Sequence, residues 1–393
     1  MRIIRASGPA IDAGLLEEAW NNPESFVFVP AHMSMDDAPL FRHRGYLPKE
    51  LSKDHFALLT SGSTGKPKVV IGCRARSEDL TRVLHEIQDS APVAETICAL
   101  PLTYSYAFVN QWLWAKVQGR RFRPSPGLSS PAQFRQDLIA ADNAMLCLVG
   151  SQVSLMESQL ADCSFPGVIR LHFAGGRFPQ HKLESLNRMF PEAVIFNNFG
   201  CAEALPRLTV RKAGASNDAQ NVGSPLPGVE LKSVEGALFF RSPFGAVATV
   251  GADGFHLFDA SEWIPTGDIG HPAADGESWQ LAGRTNEVFN RYGEKISLFT
   301  IGGTVEDFWP GQSAVFKTVD THGEEAGAIA LAPKPSKQQM RALLSEFRKK
   351  HNRAQWPLYI VGMDKLPELA NGKPDLVSIA SIGDEHVLWR QHI

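Results

Sequence analysis

Cysteine is scarce in this chain, and its spacing suits neither metal nor redox chemistry. The five residues, at 73, 98, 147, 163 and 201, include no C-x-x-C pair, so neither a zinc site nor a disulfide framework is expected. Unpaired thiols fit a reducing compartment. No run of 18 apolar residues occurs, so no membrane span is expected. Neither sign of charge dominates: 39 Lys and Arg stand against 42 Asp and Glu, a formal net charge of −3. That balance gives no electrostatic reason for a nucleic-acid partner. Met1-Arg2-Ile3-Ile4-Arg5 is followed by Asp12, Glu17 and Glu18 rather than an apolar core, so a signal peptide is not expected. Internal repeats and low-complexity tracts are also missing. These absences together predict a cytoplasmic globular protein.

The composition, 44% hydrophobic and 21% charged over 393 residues, allows two or three domains with a substantial core. Strand-like runs at 97–102, 145–149, 169–174 and 194–198 alternate with helix-like segments. Residues 78–89 place Leu80, Val83, Leu84 and Ile87 on one face at helical spacing. Residues 130–141 open with Ser130 as a cap and Pro131 at the first helical position. Segments 151–160 and 180–189 read the same way. This alternation predicts a mostly parallel sheet covered on both faces. After Gly200, Pro and Gly become frequent and short strands such as 237–240 suggest a β-rich region. From Gly283 the chain is mixed again, with a helix at 336–350. That helix ends in Arg348, Lys349 and Lys350, followed by Arg353. The basic cluster is either a solvated helix C-terminus, where cations suit the dipole, or a docking site for an acidic carrier protein or for coenzyme A phosphates.

The most informative segment is Thr60-Ser61-Gly62-Ser63-Thr64-Gly65-Lys66-Pro67-Lys68. Apolar runs at 55–59 and 69–71 flank it, predicting strand, loop, strand. Glycine lets backbone approach a ligand closely, and successive N–H groups form an anion-binding concavity. Hydroxyl and ammonium groups complete a cradle for phosphate oxygens. The Walker A spacing is absent. A polar surface turn would use similar residues, but it would not require nine of them in this order.

The segment closely resembles the phosphate loop of the adenylate-forming superfamily, which holds acyl- and aryl-CoA synthetases, peptide-synthetase adenylation domains and luciferases. Further segments resemble the family's motifs in the family's order. Asn198-Phe199-Gly200-Cys201-Ala202-Glu203 is similar to the aromatic-Gly-x-Thr-Glu motif, and Thr266-Gly267-Asp268 to the Thr-Gly-Asp motif. The stretch from Gly283-Arg284-Thr285-Asn286 to Ile296 resembles the hinge motif, and Asn371-Gly372-Lys373 the C-terminal Asn-Gly-Lys. The resemblance implies an α/β fold with a large N-terminal AMP-binding domain, residues 1–284. This domain would have mostly parallel sheets flanked by helices, plus a β-rich subdomain. A small mobile α+β lid, residues 285–393, would follow, with the pivot near Asn286.

By that resemblance the chain is an acid–thiol ligase. It would activate an aryl or acyl carboxylic acid with ATP and Mg²⁺, releasing pyrophosphate. It would then pass the acyl group to a phosphopantetheine thiol, of coenzyme A or of an acyl carrier protein. The loop from Thr60 through Ser61, Gly62, Ser63, Thr64, Gly65, Lys66 and Lys68 would take phosphates. Glu203 would hold Mg²⁺, which suits one carboxylate plus phosphate oxygens. Asp268 would accept from the ribose hydroxyls, with Arg284 nearby. Gly175 and Gly176 would pass close to adenine or the acyl group, although an ordinary strand-to-helix turn looks alike. Asn198, Phe199 and Gly200 complete the nucleotide set. Lys373 would bridge the carboxylate and the α-phosphate as charge builds.

The chain departs from the family pattern in several places. The phosphate loop comes at residue 60, which implies a shortened early region. Ala202 replaces the motif's Thr, and Tyr104 stands where many relatives have His. Asn286 replaces the usual Asp or Lys. These departures keep a second reading open, a degenerate relative that binds nucleotide or acyl-adenylate without turnover. Tyr104, Tyr106 and Phe108 are either the lining of an aryl or medium acyl pocket or a core-facing stripe. No carboxylate lies in 104–110 to pair with an α-ammonium group, so the acid is not expected to be a free amino acid.

Overall fold

The computed structural model describes residues 1–31, 48–60, 68–88, 93–160, 162–214, 218–251, 254–368 and 374–391. The first sheet begins with β1 (Arg2–Arg5), then α1 (Pro9–Asn21), β2 (Phe26–Val29), β3 (His55–Thr60) and β4 (Lys68–Cys73). β1, β2 and β3 pair in parallel. β3 and β4 form an antiparallel hairpin in which Thr60 faces Lys68. The expected strand, loop, strand is therefore a hairpin whose two ends are described. Its connection, 61–67, lies outside the described residues.

Next come α2 (Arg74–Gln88) and β5 (Glu95–Cys98). Three consecutive helical pieces follow, Ser105–Ala107, the wide turn Phe108–Leu113 and Trp114–Gln118, together called α3. After them the chain alternates through β6 (Arg121–Pro124), α4 (Pro131–Ile139), β7 (Ala144–Leu148), α5 (Gln152–Leu160), β8 (Val168–Phe173), α6 (Leu183–Met189) and β9 (Val194–Phe199). The pairings β5–β6, β5–β7, β7–β8 and β8–β9 are all parallel. Every residue of β7 is buried, as befits a strand covered on both faces.

Three local expectations shift. The first strand ends at Cys98, because the chain turns through Leu100-Pro101 instead of extending to 102. On α2, Ile87 is 41% exposed and Gln88 turns inward. Pro131 does open α4, but the Ser130 side chain makes no capping bond.

The β-rich part adds β10 (Thr209–Lys212), β11 (Asn221–Pro225), β12 (Glu230–Val234), β13 (Ala237–Arg241), β14 (Ala248–Gly251), β15 (Gly254–Leu257), β16 (Ile264–Pro272) and β17 (Trp279–Arg284). β14 and β15 extend the first sheet to six strands, and the others extend the parallel sheet to eleven by antiparallel pairing. The two sheets meet across an aromatic core. Phe56 of β3 stacks on Phe108 of α3 with centroids 5.0 Å apart, and Trp20 and Trp112 close around them.

The C-terminal part comprises the hairpin β18 (Val288–Arg291) and β19 (Glu294–Ser297), α7 (Leu298–Phe308), β20 (Gln312–Val319), β21 (Glu325–Ala332), α8 (Lys337–Lys350), β22 (Tyr359–Gly362), α9 (Leu376–Ala380) and β23 (Val387–Arg390). β20 to β23 form their own four-stranded sheet. Phe289, Ile301, Val305, Leu343 and Phe347 belong to a separate apolar cluster. Ser336 and Gln339 close a capping box at the start of α8, worth about 1 kcal/mol. At its basic end Lys349 pairs with Glu346, and the Arg348 guanidinium lies over Trp356.

Candidate active site

The site begins where β4 leaves the phosphate loop. Gly72 of β4 packs so tightly on the turn after β9 that a Cβ there would sit 2.6 Å from Leu205 and from Phe56. This close approach brings the start of β4 to the turn Ala202–Ala204. Lys68 Nζ donates to Glu203 Oε1 at 2.7 Å. The turn is held from the other side, because the Ala246 amide donates to the Glu203 carbonyl. Gly200 is required by backbone packing, since a Cβ would lie 1.9 Å from the Pro206 carbonyl oxygen.

Asp268 is supplied by β16. Gly267 takes a φ of 80°, a conformation open to glycine at little cost. The turn is fastened by Thr266 Oγ1, which donates to the Leu238 carbonyl and accepts from the Asp268 amide. Asp268 is buried, and its Oδ1 lies 3.3 Å from Arg284 Nε on the paired strand β17. The two carboxylates belong to one region. The Cys201 thiol is pushed well above its usual range by burial first, then by Glu203 and Asp268.

The remaining predicted residues divide. Gly175 (φ 80°) and Gly176 form the turn that ends β8. Thr60 and Lys68 flank the loop, while 61–67 and 371–373 lie outside the described residues, Lys373 included. Asn198 and Phe199 are both buried. The Asn198 amide donates to the Phe173 carbonyl and accepts from Gln88 and Arg207. Its side chain thus positions the end of β9 from below. Phe108 is fully buried against Phe56. It belongs to the core and does not line a pocket, because α3 turns that face toward the first sheet. Tyr106 is also buried, its hydroxyl donating to the His172 carbonyl at 2.9 Å. Tyr104 is half-buried. Asn286 is exposed in the short turn Thr285–Glu287 that joins β17 to β18.

Sequence reasoning missed two features. One is a buried polar cluster of His172, Cys147, Gln88, Arg120, Arg170 and Arg207. An arginine between Pro206 and Leu208, in an otherwise apolar stretch, was the available signal. The other joins the two parts of the chain. Arg177, just past Gly176, reaches α7 and lies 3.5 Å from Glu306, 5.6 Å from the Phe299 ring centre, and in the gap left by Gly303.

A family model for AMP-binding enzymes matches residues 11–238. Tyrocidine synthase 3 of Brevibacillus parabrevis is 24% identical over 370 residues, covering 86% of this chain and 6% of that protein. The D-alanine–D-alanyl carrier protein ligase of Lactococcus lactis subsp. lactis is 24% identical over 251 residues, 58% of this chain and 49% of the relative. The chain therefore spans half or less of the length of these curated relatives. Among solved structures, o-succinylbenzoate CoA synthetase from Bacillus subtilis, in complex with its acyl-adenylate intermediate, superposes with a TM-score of 0.76. The identity is 14%, covering all of this chain and 89% of that one; this likeness establishes the fold. A family match over more than half of the chain, on a fold that gathers the phosphate-loop hairpin, Glu203 and Asp268, shows that this chain belongs to the AMP-binding enzyme family.

Proposed function

We propose that the chain activates a carboxylic acid with ATP and transfers the acyl group to a phosphopantetheine thiol, of coenzyme A or of a carrier protein. The observation that carries this reading is the meeting of the phosphate-loop hairpin with Glu203, in one region with Asp268. In the first half-reaction a carboxylate oxygen attacks the α-phosphorus. The bond to the bridging oxygen breaks, and pyrophosphate leaves with the electron pair. In the second, the thiol sulfur attacks the acyl carbon, AMP leaves with the electron pair and the thiol proton goes to solvent. Such transfers need positioning and neutralisation of charge more than covalent help.

Glu203 suits Mg²⁺. It is one partly exposed carboxylate, oriented by its turn and already facing a cation, the Lys68 ammonium. A hard cation completed by phosphate oxygens and water needs little more. When bound, Mg²⁺ would neutralise developing phosphate charge. Lys68 would then turn to the phosphates, Asp268 would accept from the ribose hydroxyls, and Lys373 would meet the attacking carboxylate. The Gly200 packing and the buried Asn198 hold this framework in place. The segment after Asn286, acting as a mobile lid, would carry Lys373 in for the first half-reaction and withdraw it for the second.

The test is acid-dependent pyrophosphate exchange over a panel of aryl, fatty, dicarboxylic and amino acids. Exchange with at least one acid is expected, with free amino acids poor because 104–110 offers no counter-charge. Absence of exchange across the whole panel would sink the reading.

A further inference from the structure

Three arginines, Arg120, Arg170 and Arg207, are buried around His172, and of these Arg207 lies past the C-terminal end of β9. Most buried arginines in this chain have clear partners. Arg74 donates to the carbonyls of Trp20, Asn22 and Glu24. Arg291 has an ion-pair partner in Asp320 at 3.9 Å and donates from Nη2 to Gln391, although its own Nε and Nη1 lack hydrogen-bond partners among the described residues. Arg170 donates to the carbonyls of Gln88 and Ile169, and Arg120 lies over Trp114 with its Nη2 beside His85.

Arg207 differs. It is fully buried, its Nη1 donates to Asn198 Oδ1, and among the described residues its Nε and Nη2 have no hydrogen-bond partner. Among the described residues it has no ion pair; Tyr106 and Cys147 are the polar groups facing its charge. Burial lowers the guanidinium to about 10. Other unpartnered atoms belong to the same cluster: Gln88 Oε1, His172 Nε2 and the indole N–H of Trp114, whose ring stands 5.6 Å from that of His172. An unpaired buried cation is costly, and orphaned buried polar atoms demand an explanation. One bound carboxylate would satisfy the free edge of the guanidinium, whose fork matches it in two parallel bonds. The position is apt. Arg207 is four residues past Glu203, and a Cβ on Gly200 would lie 3.1 Å from its Cα. Ligands of such sheets bind at the C-terminal ends of the strands.

We propose that Arg207 receives a second carboxylate of the substrate, so that the acid activated here is a small dicarboxylic acid. One carboxylate would react with ATP while the other is held by Arg207, with the Tyr106 ring, 6.0 Å from the guanidinium carbon, as a side wall. This rests on the acid-activation reading above and names its substrate class.

The experiment compares pyrophosphate exchange by the full chain with succinic, glutaric and phthalic acids against their monomethyl esters and against butanoic and benzoic acids. At least one diacid should exceed its own monoester in kcat/KM by about 30-fold or more, the cost of stranding one buried charge. Arg207→Met should erase that advantage, and Arg207→Lys, which keeps charge but loses the fork, should fall between. Robust exchange with monoacids, and diacids no better than their esters, would overturn the dicarboxylate proposal while leaving acid activation standing. No exchange with any acid would overturn both. Should Arg207→Met not fold, the diacid-to-ester ratio of the unaltered chain still decides, together with its melting temperature, which a diacid alone should raise.

Discussion

Lys68 and Glu203, 135 positions apart in sequence, are joined by a 2.7 Å ion pair that ties the end of the phosphate-loop hairpin to the turn after β9. If Glu203 holds Mg²⁺, as proposed, the ion would take over from the Lys68 ammonium as the cation facing this carboxylate. Glu203→Gln should therefore lower the kcat of pyrophosphate exchange by about 100-fold or more, and it should raise the Mg²⁺ concentration needed for half-maximal rate. A magnesium titration with an unchanged midpoint would remove Glu203 from the metal.

Asp268 is read as a ground-state anchor. Losing a hydrogen bond to a charged group costs about 1.5–3 kcal/mol, so Asp268→Asn should raise the Kd for ATP roughly 10- to 100-fold and disturb kcat less. Calorimetric titration giving the parent affinity would show that Asp268 does not touch the nucleotide.

Lys373 is read as a transition-state contact. Lys373→Ala should reduce exchange by about 100- to 1,000-fold, with ATP binding retained. Asn286→Pro, which would fix φ near −65° at the proposed pivot, should impair one half-reaction more than the other. Pyrophosphate exchange and thioester formation from preformed adenylate, assayed separately, make the comparison; equal losses would argue against a pivot there.

His172 is buried, and burial first, then Arg207, Arg120 and Arg170, holds its pKa well below the usual 6.5. The unfolded chain accepts a proton that the folded chain refuses. This contribution to stability is therefore full above pH 6.5 and is lost progressively as pH falls below it. Urea unfolding at pH 5.5 and 7.5 should differ by about 1 kcal/mol from this group alone. His85, His181 and His351 are shifted the same way by burial, so His172→Gln should reduce the slope without removing it.

Much of this architecture could be read from the residues. The run from 55 to 71 announced two strands around a loop, which the fold pairs as a hairpin, and β7, β8 and β9 lie within a residue or so of their expected bounds, because apolar strands buried on both faces leave a plain signal. The order of motifs also singled out Glu203 and Asp268, which the fold brings near the same Cys201 thiol. The direction of the face of α3 was not legible. Tyr104, Tyr106 and Phe108 suit a pocket and a core equally well, and only the position of the first sheet decides that Phe108 stacks on Phe56. The Arg207 cluster was hidden because its members come from α2, the link between α3 and β6, β7, β8 and the segment after β9, and no local period links them.

Arg177 follows Gly175-Gly176 directly, so the same few residues end β8 and seat α7 through Glu306, Phe299 and the gap at Gly303. A ligand that moved the turn at β8 would therefore act on α7 as well. Thermodynamic linkage then makes the effect mutual: a ligand that tightens this seat is itself bound more tightly, by the same factor, when the seat is made. For a ligand bound at that turn, its affinity and the seating of α7 would be two readings of one free energy.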